Sequence, residues 1–177
     1  MIFSQRNKKN PTGFGWWDKT KEKKMRELKI IKGDIFESNA DAILHQVNCQ
    51  GVMGSGVAKQ IREKYPSVYQ SYKRACDKLG PNGVFGKIQV CAINLEKTRF
   101  IVNLFSQLNY GYSGRYTDYE KLRGCFEKVN ERFSGCSVAI PYLMGCHRGG
   151  GDWNIVSQMI EETLTGCDVT FYQFDGK

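Results

Sequence analysis

Two glycine-rich loops constrain the fold of this 177-residue chain more than any other feature. The first spans 48–58 (NCQGVMGSGVA) and the second spans 145–153 (GCHRGGGDW). Each follows an apolar, strand-like run, over 42–47 and over 136–140, and each opens into a helix-like pattern. A glycine-rich turn at the start of a helix exposes backbone N–H groups at the positive end of the helix dipole, which suits a phosphate. Two such turns in one small domain predict a diphosphate held from both sides.

Strand-like runs alternate with helix-like runs along the chain. We expect strands over 28–32, 42–47, 87–93, 99–104, 136–140 and 168–174. We expect helices from the first glycine loop to the residue before Pro66, over 67–79, after a capping box at Thr117 and Glu120, and over 152–165, with a turn at 80–83. This alternation predicts an α/β fold with a largely parallel sheet. Ligands of such sheets lie at the carboxyl ends of the strands, where both glycine loops fall.

Composition narrows the class of protein. Hydrophobic residues make up 41% of the chain, which is enough for one buried core. No stretch reaches the roughly 18–20 apolar residues of a membrane span, and the first residues lack the apolar run of a signal peptide. The seven cysteines are an odd number and form no CxxC pair, which favours a reducing compartment over a disulfide framework. We therefore expect a cytoplasmic domain without membrane contact.

Positive charge is concentrated in the first 24 residues. They hold seven Lys and Arg residues against two acidic ones, and so contribute five of the net charge of +8. With the paired Trp16 and Trp17, this segment has the composition to bind nucleic acid by phosphate contacts and stacking. The alternative, which we favour, is a flexible extension or a translation start assigned too early, because no basic and aromatic repeat continues beyond Met25. We expect residues 1–24 to be a basic extension and residues 25–177 to form the domain.

The order of the motifs resembles the macrodomain family, which binds ADP-ribose. The segments that carry the resemblance are GDIF at 33–36, VNCQGVMGSGVAKQ at 47–60 and IPY…GC…GGGDW over 140–153. The segments NLFSQ at 103–107 and TDY at 117–119 are similar to the branch of ADP-ribose 1''-phosphate phosphatases and terminal ADP-ribose glycohydrolases. The resemblance implies a three-layer α/β/α macrodomain with a mixed, mostly parallel central sheet.

The resemblance also assigns ligand contacts. It implies that Asp34 accepts a hydrogen bond from the adenine amino group beside the Ile35 backbone, although Asp34 can instead simply end the first strand in a turn. Phe105 and Tyr172 are candidates to pack against the adenine ring, or ordinary core residues. The residues implied to enclose the diphosphate are Gly54, Ser55, Gly56 and Val57 in the first loop and Gly145, Cys146, His147 and Arg148 in the second. The alternative for both loops is tight turns without a ligand.

Two polar residues near the end of the second strand are candidates for catalysis. The resemblance implies that Asn48 contacts the distal ribose, whose C1'' is the reacting carbon; alternatively, Asn48 only satisfies turn amides. His45 matches the histidine proposed to act in yeast-type ADP-ribose 1''-phosphate phosphatases. An imidazole serves as a general base for water or as a nucleophile towards phosphorus. A histidine on an apolar strand face is as often a hydrogen-bonded core residue, so both interpretations of His45 stand.

The chain departs from the glycohydrolase pattern at two positions. Glycohydrolases of the terminal-ADP-ribose type use a lysine where this chain has Gln107, and a glutamine cannot form a Schiff base with an opened ribose. They also use an aspartate where this chain has Gly149. Asp152 is the nearest carboxylate, and its alternative role is the N-cap of the last helix. His147 and Arg148 replace small residues of that loop and either add a proton donor and a cation or point to solvent.

Other chemistries have weaker support. Cys49, and Cys146 beside His147, suggest thiol catalysis, but neighbours in sequence do not place a base against a thiol. With two histidines in the chain, no set of zinc ligands is apparent, and we expect neither a metal nor a cofactor. We expect a monomeric ADP-ribose-binding hydrolase that removes phosphate from C1'' of ADP-ribose 1''-phosphate. The alternatives are a hydrolase that removes ADP-ribose from protein or nucleic acid, and a reader that binds ADP-ribose or an ADP-ribosylated macromolecule without turnover.

Overall fold

The computed structural model describes residues 28–94 and 99–174. The segments that it describes form, in chain order, β1 (Ile30–Lys32), β2 (Ala42–Asn48), α1 (Gly56–Lys64), α2 (Pro66–Val84), β3 (Ile88–Asn94), β4 (Arg99–Gln107), α3 (Tyr119–Arg132), β5 (Ser137–Pro141), α4 (Trp153–Thr163) and β6 (Asp168–Gln173), with a short 3₁₀ turn, Ile35–Glu37, after β1. Within these segments, no helix is long and apolar enough to cross a membrane. The expected extension over residues 1–24 lies outside the described residues.

The six strands form one sheet in the order β1-β6-β5-β2-β4-β3. Strand β3 runs antiparallel to β4, and every other neighbouring pair is parallel. The expectation of a mixed, mostly parallel sheet is confirmed. Because β2 and β5 are parallel neighbours, the two glycine loops that follow them leave the sheet at the same edge.

Alternating side chains of β2 serve two separate cores, as the period of two in a strand requires. Leu44 packs on one face with Phe126 of α3 and with residues of α4. Ile43 packs on the other face with Ile61 of α1 and Tyr72 of α2. Helices therefore cover both faces of the sheet, and the three-layer α/β/α arrangement is confirmed.

The start of α3 differs from the predicted capping box. Asp118, and not Thr117, is the N-cap, and its carboxylate accepts a hydrogen bond from the Lys121 N–H at 2.9 Å. The Thr117 hydroxyl instead donates to the Gly145 carbonyl oxygen in the second glycine loop at 2.7 Å. The Thr117 side chain, which the local pattern assigned to the helix cap, therefore makes a long-range contact instead.

The predicted turn at 80–83 is also wrong in part. The chain kinks at Gly80, where φ is +69°, and continues in helical conformation to Val84. A positive φ is unstrained only for glycine, and the following Pro81 fits the first position of a new helical turn. The kink changes the direction of the helix, and Leu79, directly before it, is 49% exposed.

Candidate active site

A cleft of about 480 Å³ opens at the edge of the sheet where both glycine loops emerge. Its lining includes residues of the first loop, residues of the second loop and the segment 110–112. A smaller cavity of roughly 20 Å³ lies beside it, lined by residues that include Asp34, Ile35 and Tyr172. Val57 and Pro141 line both cavities, so the two form one groove. Residues expected at the two ends of an ADP-ribose site therefore lie along the same groove, and their contact with a ligand stays a prediction.

The first loop leads into the open N-terminus of α1. Ser55 is the N-cap residue, but its side chain makes no capping hydrogen bond, and the first turn contains no acidic residue. The first N–H groups of a helix have no acceptor within the helix, and they carry the positive end of its dipole. Gly54, Ser55, Gly56 and Val57 all line the cleft. This wall of the cleft is suited to an anion.

The second loop is fixed from below by the segment before α3. The Gly149 carbonyl oxygen accepts hydrogen bonds from the N–H groups of Tyr116 at 2.8 Å and of Thr117 at 2.9 Å. A Cβ at Gly149 would overlap Thr117 Oγ1, the Gly145 carbonyl oxygen and Gln107 Nε2. Position 149 thus accepts only glycine in this arrangement of the loop.

The exposed part of the second loop faces the cleft. Gly145, His147 and Arg148 line it. The Arg148 guanidinium lies 4.7 Å from the centre of the Tyr112 ring, and Tyr112 itself is 92% exposed. A cation and an aromatic ring therefore flank this end of the cleft.

Cys146 differs from its neighbours in the second loop, because it is not among the residues that line the cleft. Its side chain is half-buried against the core beneath α3 and α4, and its N–H donates to the Leu143 carbonyl oxygen at 3.0 Å. Burial raises the pKa of the Cys146 thiol to about 11 and that of the Cys49 thiol to about 12. Both thiols are protonated near neutral pH, which argues against thiol catalysis.

At the adenine end, Asp34 already has two partners. Its Oδ1 accepts from the Phe36 N–H at 2.9 Å, which makes Asp34 the cap of the 3₁₀ turn, and its Oδ2 accepts from Lys64 Nζ at 3.2 Å. Tyr172 is half-buried and lines the small cavity beside Asp34. Phe105 does not belong to this end: it is 1% exposed and stacks on Tyr72 in the core, with ring centres 5.6 Å apart. The expectation that Phe105 packs against adenine is wrong, because its side chain faces the helices rather than the groove.

Asn48 holds the first glycine loop together. Its Oδ1 accepts from the Gln50 N–H and from the Tyr72 hydroxyl, each at 2.9 Å, and its Nδ2 donates to the Val52 carbonyl oxygen at 2.6 Å. The alternative role of satisfying turn amides is thus present in the structure. Asn48 also lines the cleft, so the same side chain is within reach of a ligand.

His45 is 2% exposed and contributes to the lining of the cleft. It shares its face of β2 with Ile43 and Val47, since side chains alternate along a strand. Its Nε2 lies 2.5 Å from Asn103 Oδ1 on the neighbouring strand β4, and its Nδ1 has no hydrogen-bond partner among the described residues. Burial lowers the pKa of His45 to about 4, and the hydrogen bond to Asn103 opposes this shift. His45 is therefore neutral near pH 7.

The two departures from the glycohydrolase pattern lie side by side. Gln107 Nε2 donates to Gln46 Oε1 at 2.6 Å, and it lies 2.6 Å from the place that a Cβ of residue 149 would occupy.

Asp152 is the N-cap of α4, where its carboxylate accepts from the Asn154 N–H at 2.8 Å. It therefore has the capping role that we considered as its alternative.

Sequence reasoning missed several polar residues of the site. Gln46 accepts from Gln107 and donates through Nε2 to Ser106 Oγ at 2.8 Å, which connects the floor of the cleft to β4. Lys64 pairs with the expected adenine contact, Asp34. Asn103 holds His45. For Gln46 and Asn103, the signal in the sequence was a polar residue within an otherwise apolar strand, since burying such a group is costly without a partner.

Comparisons with known proteins agree with this geometry. The family model described as Macro domain matches residues 44–160. A DNA ADP-ribosyl glycohydrolase from Thermus aquaticus is 30% identical over 156 residues, which are 82% of this chain and 41% of that protein. An ADP-ribose 1''-phosphate phosphatase from Meyerozyma guilliermondii is 42% identical over 67 residues, which are 35% of this chain and 38% of that protein. The solved macrodomain of Thermus aquaticus DarG has a TM-score of 0.66 and 28% identity, over 84% of this chain and 97% of that one.

The two curated relatives, in contrast to the solved macrodomain, are much longer than the region that matches. The chain spans about two fifths of the length of the curated glycohydrolases with which it aligns. The similarity to the Meyerozyma phosphatase is higher in identity but covers only about a third of the chain.

Proposed function

Because the chain belongs to the macro domain family, we propose that it binds ADP-ribose in the groove and hydrolyses a bond to a group attached at C1'' of the distal ribose. The group we favour is phosphate, so that ADP-ribose 1''-phosphate is converted to ADP-ribose and inorganic phosphate. The observation that carries this proposal is the cleft of about 480 Å³ between an uncapped helix N-terminus and a glycine-rich loop. Its continuation to Asp34 gives the groove a second end for a base.

Binding follows from the chemistry of the two walls. The N–H groups at the start of α1 and the backbone of the second loop hold the diphosphate. Asp34 Oδ2 accepts a hydrogen bond from the adenine amino group and keeps the one from Lys64 Nζ. Asn48 carries two hydrogens on Nδ2, and the one that does not go to Val52 donates to a hydroxyl of the distal ribose.

Hydrolysis needs an acceptor for the proton of water. Burial lowers the pKa of His45 to about 4, so the imidazole is neutral near pH 7. We assign the proton to its Nδ1, which has no partner among the described residues, on a residue that lines the cleft. The water oxygen then forms a bond to phosphorus, the bond from phosphorus to the C1'' oxygen breaks, and that oxygen leaves with the proton that His45 took from the water. Backbone N–H groups of the loops stabilise the charge on the phosphoryl oxygens.

A second candidate function is removal of ADP-ribose from a macromolecule. The match over 82% of the chain to a DNA ADP-ribosyl glycohydrolase favours it. The covalent route through a lysine is not available, since residue 107 is glutamine. The aspartate of the glycohydrolase pattern is absent as well, and position 149 has no room for a side chain. This candidate therefore requires direct attack of water at C1''.

The experiment that tests the proposal measures phosphate release from ADP-ribose 1''-phosphate by the wild type and by His45→Ala, together with ADP-ribose binding by calorimetry. We expect His45→Ala to retain binding and to lose turnover by at least about a hundredfold, the scale of general base catalysis. An Asp34→Asn variant is the matched control for binding: we expect it to weaken ADP-ribose affinity.

Two outcomes would contradict the proposal. Absence of phosphate release by a wild type that binds ADP-ribose would exclude the phosphatase and leave the de-ADP-ribosylating hydrolase or a non-catalytic reader. Full turnover in His45→Ala would keep the activity but remove His45 from it, and would direct attention to Asn48, His147 and Asp152.

A further inference from the structure

A chain of hydrogen bonds runs from His45 through the sheet to helix α2. His45 Nε2 lies 2.5 Å from Asn103 Oδ1, and Asn103 Nδ2 donates to Gln89 Oε1 at 2.9 Å. Gln89 Nε2 donates to the carbonyl oxygen of Ser71 at 3.2 Å and contacts its Oγ at 3.1 Å. The chain therefore crosses three adjacent strands, β2, β4 and β3, on the face that α2 covers.

The far end of this chain determines the direction of every bond in it. A backbone carbonyl oxygen only accepts hydrogen bonds, so Gln89 must present its NH₂ group to Ser71 and its Oε1 to Asn103. Asn103 must then present its NH₂ group to Gln89 and its Oδ1 to His45. An amide oxygen also only accepts, so the hydrogen of His45 must lie on Nε2.

The other nitrogen of His45 is then an acceptor without a partner. A neutral imidazole carries one hydrogen, so with Nε2 protonated, Nδ1 has a lone pair. No described residue donates to Nδ1. His45 is only 2% exposed, yet it is one of the residues that line the cleft. A histidine with a purely structural role usually satisfies both nitrogens, as buried polar groups do. This arrangement instead leaves one nitrogen of a cleft-lining residue with a lone pair and no described partner.

We propose that Asn103 and Gln89 are positioning residues, which hold His45 as the Nε2–H tautomer so that Nδ1 accepts a hydrogen bond from a hydroxyl group in the cleft. The proposal rests on the proposed function for the identity of that hydroxyl, which is the attacking water. Asn103 and Gln89 act only through His45. Asn103 lies on β4 beside His45, and Gln89 lies on β3 beside Asn103. Neither residue lines the cleft.

The tautomer can be observed without any measurement of activity. The chain has two histidines, so a long-range ¹H–¹⁵N spectrum of the labelled full-length protein contains two imidazole patterns, and a His147→Ala variant assigns them. We expect His45 of the wild type to show a pyrrole-type Nε2 and a pyridine-type Nδ1 at pH 7. A pyrrole-type Nδ1 in the wild type would overturn the proposal.

Three variants test how the tautomer is fixed. Gln89→Met removes the connection to Ser71 and lets the Asn103 amide rotate, so we expect the His45 signals to shift towards the average of the two tautomers. Ser71→Ala keeps the backbone carbonyl, so we expect the wild-type tautomer. Gln70→Met, an exposed glutamine on the same helix, is the matched control and should leave the spectrum unchanged. A wild-type spectrum for Gln89→Met would exclude Gln89 as a positioning residue.

Turnover provides the second measurement. With ADP-ribose 1''-phosphate, we expect Gln89→Met to lower kcat about tenfold, within the contribution of a general base, while KM stays within about twofold. We expect Gln70→Met to match the wild type in both. If the wild type shows no turnover, the proposed function fails, and the spectra still decide the positioning role. If Gln89→Met changes the tautomer but not kcat, Nδ1 is not the proton acceptor and the catalytic part of the proposal fails.

Discussion

At the scale of single residues, His45 makes the stability of the fold depend on pH. Its pKa falls from 6.5 to about 4 on burial, so below pH 6.5 the unfolded chain takes up a proton that the folded protein does not. The free energy of unfolding must therefore decrease as the pH falls from 6.5 to 4, by about 3 kcal/mol in total for this one group. We expect denaturant titrations at pH 7, 5.5 and 4 to show this decrease, and His45→Gln to lack that share of it.

The comparison with His45→Gln is needed because carboxylates also respond to acid. The hydrogen bonds from the Ser137 side chain and backbone lower the pKa of Asp41 below 3.8, so the contribution of Asp41 is lost only at a lower pH than that of His45. The pH range in which the contribution of His45 is lost therefore lies above that of Asp41. An equal decrease between pH 6.5 and 4 in the wild type and in His45→Gln would show that His45 is not buried in its neutral form.

At the scale of structural elements, Gly149 controls whether the second loop can close over the segment before α3. A Cβ at this position would overlap Thr117 Oγ1, the Gly145 carbonyl oxygen and Gln107 Nε2. We expect Gly149→Ala to lower the free energy of unfolding by about 1–3 kcal/mol, the usual cost of overpacking, and to weaken ADP-ribose binding because the loop moves. Chemical denaturation and calorimetry measure the two effects.

The first loop offers the matched control for this substitution. A Cβ at Gly54 would meet only Val52 Cγ1, at an ordinary contact distance of 3.6 Å. We therefore expect Gly54→Ala to change the free energy of unfolding by less than about 0.5 kcal/mol. Equal destabilisation by both variants would mean that loss of glycine flexibility, and not overlap with Thr117, explains the result at Gly149.

Local patterns predicted the elements well where the cause of the structure is local. The helix over Tyr119–Arg132 and the apolar stripe through Leu122, Phe126 and Val129 follow from their spacing, and all three are buried. The cap of that helix does not follow from the local pattern, because the Thr117 hydroxyl donates to the carbonyl oxygen of Gly145, 28 positions further along the chain. Contacts of this kind depend on which loops meet at the edge of the sheet.

The candidate site shows the same division. The glycine loops and their place at one edge of the sheet follow from strand–loop–helix patterns, and both line the cleft. The side on which a strand residue points was harder to predict: Phe105 faces α2 and stacks on Tyr72. The partners Asn103 and Lys64 come from elements distant in sequence, which one chain read alone cannot pair.

At the scale of the whole molecule, the described residues supply the lining of both cavities of the groove. Its lining runs from Gly33 to Phe174, and every residue named for the bound nucleotide lies between these limits. We therefore propose that residues 25–177 are the functional domain and that residues 1–24 are an extension outside it. We expect a chain that starts at Met25 to bind ADP-ribose within about twofold of the full-length affinity, and to unfold with the same free energy, as judged by calorimetry and denaturation.

The extension carries five of the eight net positive charges, so its removal should have an electrostatic effect even if the groove is unchanged. Weak, sequence-independent binding to single-stranded DNA scales with the number of cations that contact phosphates and decreases steeply with salt. We expect the shortened chain to bind an oligonucleotide more weakly than the full-length chain at low salt, and the two to converge as salt increases. A loss of ADP-ribose affinity on shortening would contradict the proposal that residues 1–24 lie outside the functional domain.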